Sequence, residues 1–150
     1  SKGTWQSNIG NLLAEITFEL GNPVFQKREN KTIDVCLLNH GGIRAVIPKG
    51  DVTTRTAFEV MPFENSLIIV GLTGKEIKTL AEYIIKEKKP HPLYGMKIYI
   101  DKSTLKINKI EINNLPLDEN RIYYVGTSDY LANGGDNMTF FKESKIKFDM

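Results

Sequence analysis

One stretch of this sequence sets a carboxylate, a phenol ring and two adjacent glycines within a few residues of each other. It reads Thr127-Ser128-Asp129-Tyr130-Leu131-Ala132-Asn133-Gly134-Gly135-Asp136. Tyr130 offers a flat face and Asp136 an acceptor, one on either side of the Gly134-Gly135 turn. A planar base needs a stacking surface. A ribose diol needs an acceptor for two hydroxyl protons, and an ionised carboxylate has the lone pairs for both. Glycine reaches backbone angles closed to other residues and lets a ligand come close to the main chain. The same residues also suit a plain surface loop with Tyr130 packed inside, and the stretch alone leaves both readings open.

Two further clusters have a comparable character. Asn39-His40-Gly41-Gly42-Ile43-Arg44 is a second Gly-Gly turn flanked by hydrogen-bonding side chains. Glycines there can expose backbone N–H groups, and Arg44 carries the planar fork of donors that suits phosphate. A tight turn with a solvated arginine would have the same sequence. In Met61-Pro62-Phe63-Glu64-Asn65, Phe63 sits in a Pro-led turn among polar neighbours, an odd place for a core aromatic. The two histidines, His40 and His91, stand far apart in sequence. A catalytic zinc-type site needs about three protein ligands, so no metal site is expected in this chain.

The elements that must position these residues follow from periodicity. Asn8 is an expected N-cap, with Ile9, Leu12, Leu13, Ile16 and Leu20 on one helical face. Gly21 with Pro23 is expected to close that helix, leaving residues 24–31 as a surface loop. Apart from Asp34, residues 33–38 form an apolar run almost without alternation, the pattern of a strand buried on both faces. It delivers the cluster at 39–44. A short helix is expected over 54–60, ending before Pro62, and a strand over 66–72. Thr73-Gly74-Lys75-Glu76 reads as a capping box. It opens a helix with Ile77, Leu80, Ala81, Ile84 and Ile85 on one face. Lys86, Lys88 and Lys89 suit the C-terminal end of that helix better than a nucleic-acid patch. Strands are expected over 96–100 and 105–112, with a bulge near Asn108 that restores the facing of Ile110 and Ile112. Residues 121–126 read as a buried strand leading into the first stretch, and 145–148 as a short strand closing a sheet edge. The order of elements argues for an α+β domain with mixed sheets and helices packed on their faces.

Composition sets the outer bounds. The chain has 150 residues, 41% of them hydrophobic and 25% charged, the proportions of one globular domain able to bury a core. A net charge of +2 is too mild to argue for nucleic acid. Cys36 is the single cysteine, so no internal disulfide can form. No apolar run approaches the roughly 18 residues of a membrane span. The sequence begins with Ser1 rather than Met and shows no signal-peptide pattern, which is expected of a chain processed or cut from something longer.

Residues 39–44, Met61-Pro-Phe-Glu-Asn65, Leu72-Thr-Gly74 and Tyr130-Leu-Ala-Asn-Gly-Gly-Asp136 together resemble, in order and spacing, the C-terminal substrate-binding domain of 5′-nucleotidases and UDP-sugar hydrolases. The resemblance runs from about Asn8 to Phe141. It implies that a dimetal metallophosphatase domain, in cis or in trans, performs the chemistry with two divalent metal ions, and that this domain holds the nucleoside or nucleotide. By the same resemblance the base lies between Phe63 and Tyr130, and Asp136 accepts the ribose hydroxyls. Asn39 and Arg44 face the phosphate, Asn65 meets the base edge, and the backbone around Gly95 lines the same pocket. A periplasmic or extracellular location is implied as well. Two departures stand out: residues 1–7 contain no Arg where the family usually has a second phosphate-binding one, and Asn137 stands where Gly is common. A stand-alone nucleoside-binding module without a hydrolytic role is the alternative. A third reading is a domain whose pocket has been lost, against which Phe63, Tyr130 and Asp136 all speak.

Two-metal phosphoester hydrolysis needs several Asp, His and Asn ligands holding the ions roughly 3.5–4 Å apart. No clustered carboxylate–histidine pattern exists here to supply them. The purified chain with added divalent metals is therefore expected not to hydrolyse AMP above background. Phosphate release that persists through repurification and disappears in Arg44→Ala would contradict this.

Overall fold

A computed structural model of the chain describes residues 8–38, 67–87 and 91–150. The clusters at 39–44 and 61–65, the helix expected over 54–60, and Lys88 and Lys89 lie outside the described residues. The fold is α+β, as the order of elements led us to expect. A five-stranded mixed sheet is built around β7 (Ile122–Ser128), which lies between β1 (Val35–Leu37) and β2 (Leu67–Thr73). β1 runs parallel to β7 and β2 antiparallel to it. β3 (Leu93–Tyr94) and β8 (Lys147–Asp149) form the two edges, each antiparallel to its neighbour.

Both faces of this sheet are covered, which explains strands with no polar alternation. Val35, Leu37, Val70, Leu72, Tyr123 and Val125 face a core shared with α2 (Gly74–Glu87). That helix buries Ile77, Leu80, Ala81, Ile84 and Ile85, the face read from its sequence. Its capping box is formed: the Thr73 N–H donates to Glu76 Oε1 at 2.9 Å, and the Glu76 N–H donates to Thr73 Oγ1 at 3.3 Å. Cys36 and Ile69 point to the opposite face, against Ala14, Phe25 and Ile33 of the N-terminal segment.

The first helix departs from expectation. α1 spans Asn8–Glu29 and continues through Pro23 instead of stopping at Gly21. Pro23 and Glu19 are both exposed, so the carbonyl deprived of its intrahelical donor faces water. Beyond the proline, Phe25 is fully buried, edge-on to Tyr124 and Phe148 at 5.6 and 5.3 Å. This aromatic packing favours continuing the helix by more than the lost hydrogen bond disfavours it. Asn30, at φ 57°, ends the helix in the left-handed conformation usually given to glycine.

After β3 the chain turns into a separate antiparallel sheet of β4 (Met96–Ile100), β5 (Ile107–Ile112) and β6 (Leu115–Pro116). Pairing steps from Tyr99↔Lys109 to Ile100↔Ile107, leaving Asn108 as the bulged residue. Gly95 makes the corner between the two sheets at φ 94°, where an added Cβ would lie 2.3 Å from the Asp34 carbonyl oxygen. β8 pairs with β2 and closes an edge, as read from the sequence.

Phe25→Ala is expected to cost about 3–5 kcal/mol of stability in urea unfolding, the scale for a buried aromatic. Leu20→Ala, on the exposed side of the same helix, should cost well under half of that. Equal small losses would mean that the segment after Pro23 is not packed.

Candidate functional site

The loop after β7 is held from several sides. The Thr127 hydroxyl donates to the Leu37 carbonyl at 2.6 Å, tying β7 to β1 just before the loop begins. Ser128 Oγ then accepts from the Leu131 N–H at 3.3 Å and caps a single turn, α3 (Asp129–Ala132). Gly134 has φ 98°, and a short 3-10 turn over Gly135–Asn137 follows. Asp136 and Asn137 are both left-handed, at φ 54° and 64°. Asn137 therefore occupies a conformation that glycine adopts freely and that asparagine tolerates better than most residues. The chain re-enters the core at α4 (Thr139–Glu143) through Phe140 and Phe141.

Tyr130 is 46% exposed, so it is not the packed interior residue of the plainer reading. Its ring lies against Gly135, where an added Cβ would sit 2.5 Å from Cε2. One face of the ring is thus covered by backbone. The Tyr130 hydroxyl donates to Asp136 Oδ1 at 2.9 Å, and the Asp136 N–H donates back to that hydroxyl at 3.3 Å. Asp129, Tyr130, Asn133, Gly134 and Gly135 line an open cleft of about 530 Å³. Asp129 Oδ1 is buried with no hydrogen-bond partner among the described residues.

Two residues that the sequence did not point to complete the surroundings of Asp136. Tyr83, from α2, donates its hydroxyl to the Asp136 carbonyl. Burial first, then the charges of Glu87, Asp136 and Tyr130, raise its pKa, so it stays protonated and able to donate. His91, buried at 1% exposure, places Nε2 3.9 Å from Asp136 Oδ2. The Tyr83 ring meets the imidazole edge-on at 6.0 Å. His91 drew notice in the sequence only as a metal ligand. No local sequence pattern at residues 90–95 signals that burial.

Of the seven site residues named from sequence, Tyr130 and Asp136 are brought together. Asn39, Arg44, Phe63 and Asn65 lie outside the described residues. Gly95 stands apart. β3 pairs Tyr94 with Cys36, so Gly95 lies beside Asp34 and Val35, whereas Leu37 and Thr127 mark the site's end of the sheet. Four residues of extended chain, about 13 Å at about 3.3 Å per residue, separate it from His91. Gly95 lines a different cleft of about 380 Å³ with Glu15, Tyr94, Lys97, Glu111 and Asn114. Among the described residues the two clefts share none. Its corner conformation accounts for the glycine.

Burial pushes the Cys36 thiol up to about 12. Among the described residues no group of three or more His, Cys, Asp or Glu could hold a metal ion. No helix among them is long and apolar enough to cross a membrane.

Residues 1–143 match the family described as "5′-nucleotidase, C-terminal domain". The chain belongs to that family. It is 28% identical to the trifunctional nucleotide phosphoesterase protein YfkN of Bacillus subtilis, over 98% of this chain and 10% of that protein. The crystal structure of a 5′-nucleotidase precursor from Thermus thermophilus superposes with a TM-score of 0.73 at 31% identity, covering 97% of this chain and 30% of that one. Haemophilus influenzae NAD nucleotidase shares the fold at a TM-score of 0.62 and 23% identity, covering 97% of this chain and 27% of that one. The chain thus spans less than a third of each of these proteins.

In this member of the 5′-nucleotidase C-terminal family, Gly135 is what allows Tyr130 to lie flat beside Asp136. Gly135→Ala is expected to displace the ring and break its hydrogen bond to Asp136, at a cost of about 1–3 kcal/mol for overpacking. Altered Tyr130 ring resonances, with the core resonances unchanged, would show it. An unshifted Tyr130 spectrum would contradict the contact.

Proposed function

We propose that this chain is the nucleotide-binding specificity domain of a 5′-nucleotidase-type phosphohydrolase. The observation that supports this most is the joining of Tyr130 and Asp136 by a 2.9 Å hydrogen bond, with one ring face on Gly135 and the carboxylate partly exposed. A base stacks on Tyr130 while the ribose hydroxyls donate to Asp136. Phe63 supplies the second ring, Asn65 meets the base edge, and Asn39 and Arg44 meet the phosphate. Leu38 and Leu67 flank the segment that holds these four residues; Leu37, just before it, pairs with Thr127, and Leu67 pairs with Ser128. The segment therefore leaves and rejoins the sheet beside the Tyr130 loop.

Hydrolysis of the phosphoester is the work of a metallophosphatase domain, in cis or in trans, with two divalent ions. Among the described residues His91 and Asp136 are too few to hold such ions, and this reading assigns the catalytic step to that domain. A periplasmic or extracellular location goes with the same reading.

Titration with adenosine and AMP tests it. Tyr130→Ala or Phe63→Ala should lower affinity for both about 10- to 100-fold, the scale of base–aromatic stacking. Arg44→Ala should weaken AMP by about 1.5–3 kcal/mol and leave adenosine nearly unchanged. Folded alanine variants that bind as tightly as the parent would overturn the base sandwich. Indifference of the parent to the phosphate would favour a nucleoside-binding module without a hydrolytic role.

A further inference from the structure

We propose that His91 is a positioning residue for the Asp136 carboxylate, setting how strongly this site distinguishes a ribose from a sugar without its vicinal hydroxyls. The inference rests on the nucleoside-binding reading above and adds a residue that it does not contain.

Asp136 sits in a left-handed backbone conformation at φ 54° on a 3-10 turn, Gly135–Asn137, that buries none of its residues. Three groups fix it. Tyr83 holds its carbonyl, Tyr130 holds its N–H and Oδ1, and the buried imidazole of His91 stands 3.9 Å from Oδ2. That separation is too long for a hydrogen bond but well within reach of charge–dipole attraction, or of charge–charge attraction when the ring is protonated. The two carboxylate oxygens thus have different neighbours. Oδ1 has a donor from the side of the base, and Oδ2 has an imidazole rising from the protein interior.

A carboxylate free to rotate about its terminal torsion presents its lone pairs over a broad range. With Oδ1 hydrogen-bonded to Tyr130 and Oδ2 drawn toward the imidazole, the carboxylate plane keeps one orientation, so its remaining lone pairs face two adjacent hydroxyls from a fixed direction. His91 is itself held. The Leu38 N–H donates to the Pro92 carbonyl at 2.9 Å, fixing the chain one residue away, and the Tyr83 ring packs edge-on against the imidazole. His91 is thereby a buried polar ring set beside a partly exposed carboxylate.

The proposal separates from a purely structural role by ligand. His91→Leu should weaken adenosine about three- to tenfold, the scale of one contact to a charged group. Binding of 2′,3′-dideoxyadenosine should hardly change, so the ratio of the two affinities falls. His91→Gln, which keeps a donor of similar reach, should recover part of the ratio. Equal losses for both ligands, or no loss for either, would overturn the proposal. Without ligand, the imidazole ¹⁵N resonances of His91 should shift in Asp136→Asn, and unmoved resonances would also overturn it. A parent chain that binds neither ligand would remove the nucleoside reading and this inference with it. A parent that binds adenosine while His91→Leu keeps the ratio would remove this inference alone.

Discussion

Strand β7 is hydrogen-bonded along both edges, to β1 in parallel and to β2 in antiparallel register. A central strand with its N–H and C=O groups engaged on both sides cannot slide without breaking two ladders, and a slip of one residue would turn every side chain to the wrong face. Tyr123 and Val125 would then leave one core, and Tyr124 and Gly126 the other. Gly126 is itself tightly placed, since an added Cβ would lie 3.1 Å from Cys36 Sγ. The end of β7 is therefore a fixed point. The Thr127 hydroxyl on the Leu37 carbonyl secures it laterally, and the loop that begins at Ser128 inherits its origin and direction.

From that origin the loop takes up conformations that side chains disfavour. Asp136 and Asn137 are left-handed in succession, which costs of order 1 kcal/mol or more per ordinary residue and less for Asp and Asn. Such strain persists where the surroundings over-determine it. Here the Asp136 backbone is held at its carbonyl by Tyr83 and at its N–H by Tyr130, while Gly134 packs on the Lys142 side chain. The contacts come from α2, α3 and α4, so the loop is stabilised by the helices rather than by the sheet. Strand and helices thus do separate work: the first sets where the loop starts, the second how it closes.

Much of this was legible in the sequence because local chemistry and global packing agree. The capping box at Thr73–Glu76, the buried stripe of the helix it opens, and the bulge at Asn108 each follow from residues close together in the chain. The miss at α1 has the opposite cause. Gly21 and Pro23 are local stop signals, overridden by the burial of Phe25 against Tyr124 and Phe148, which lie about a hundred residues or more further on in the sequence. No local pattern encodes that contact. The same holds at the site. Tyr130, Gly135 and Asp136 share one short stretch and were readable together, while Tyr83 and His91 reach Asp136 from elsewhere in the chain. Gly95 serves a corner between two sheets, which looks in sequence like any ligand-facing turn.

The phenol at position 130, rather than a plain phenyl ring, has a consequence for how such a site would be organised. A base and its ribose are covalently joined, so a stacking face and a diol acceptor serve one ligand only if their separation is fixed. Here the hydroxyl of the stacking ring donates to the acceptor itself, and the acceptor's N–H returns a bond to that hydroxyl. Ring and carboxylate then move as one body. On the proposed reading, part of the ordering entropy that binding would otherwise require is already met in the free protein. The hydroxyl uses one of about four acceptor positions on the carboxylate. Enough remain for two sugar hydroxyls, so preorganisation is gained without closing the acceptor to its ligand.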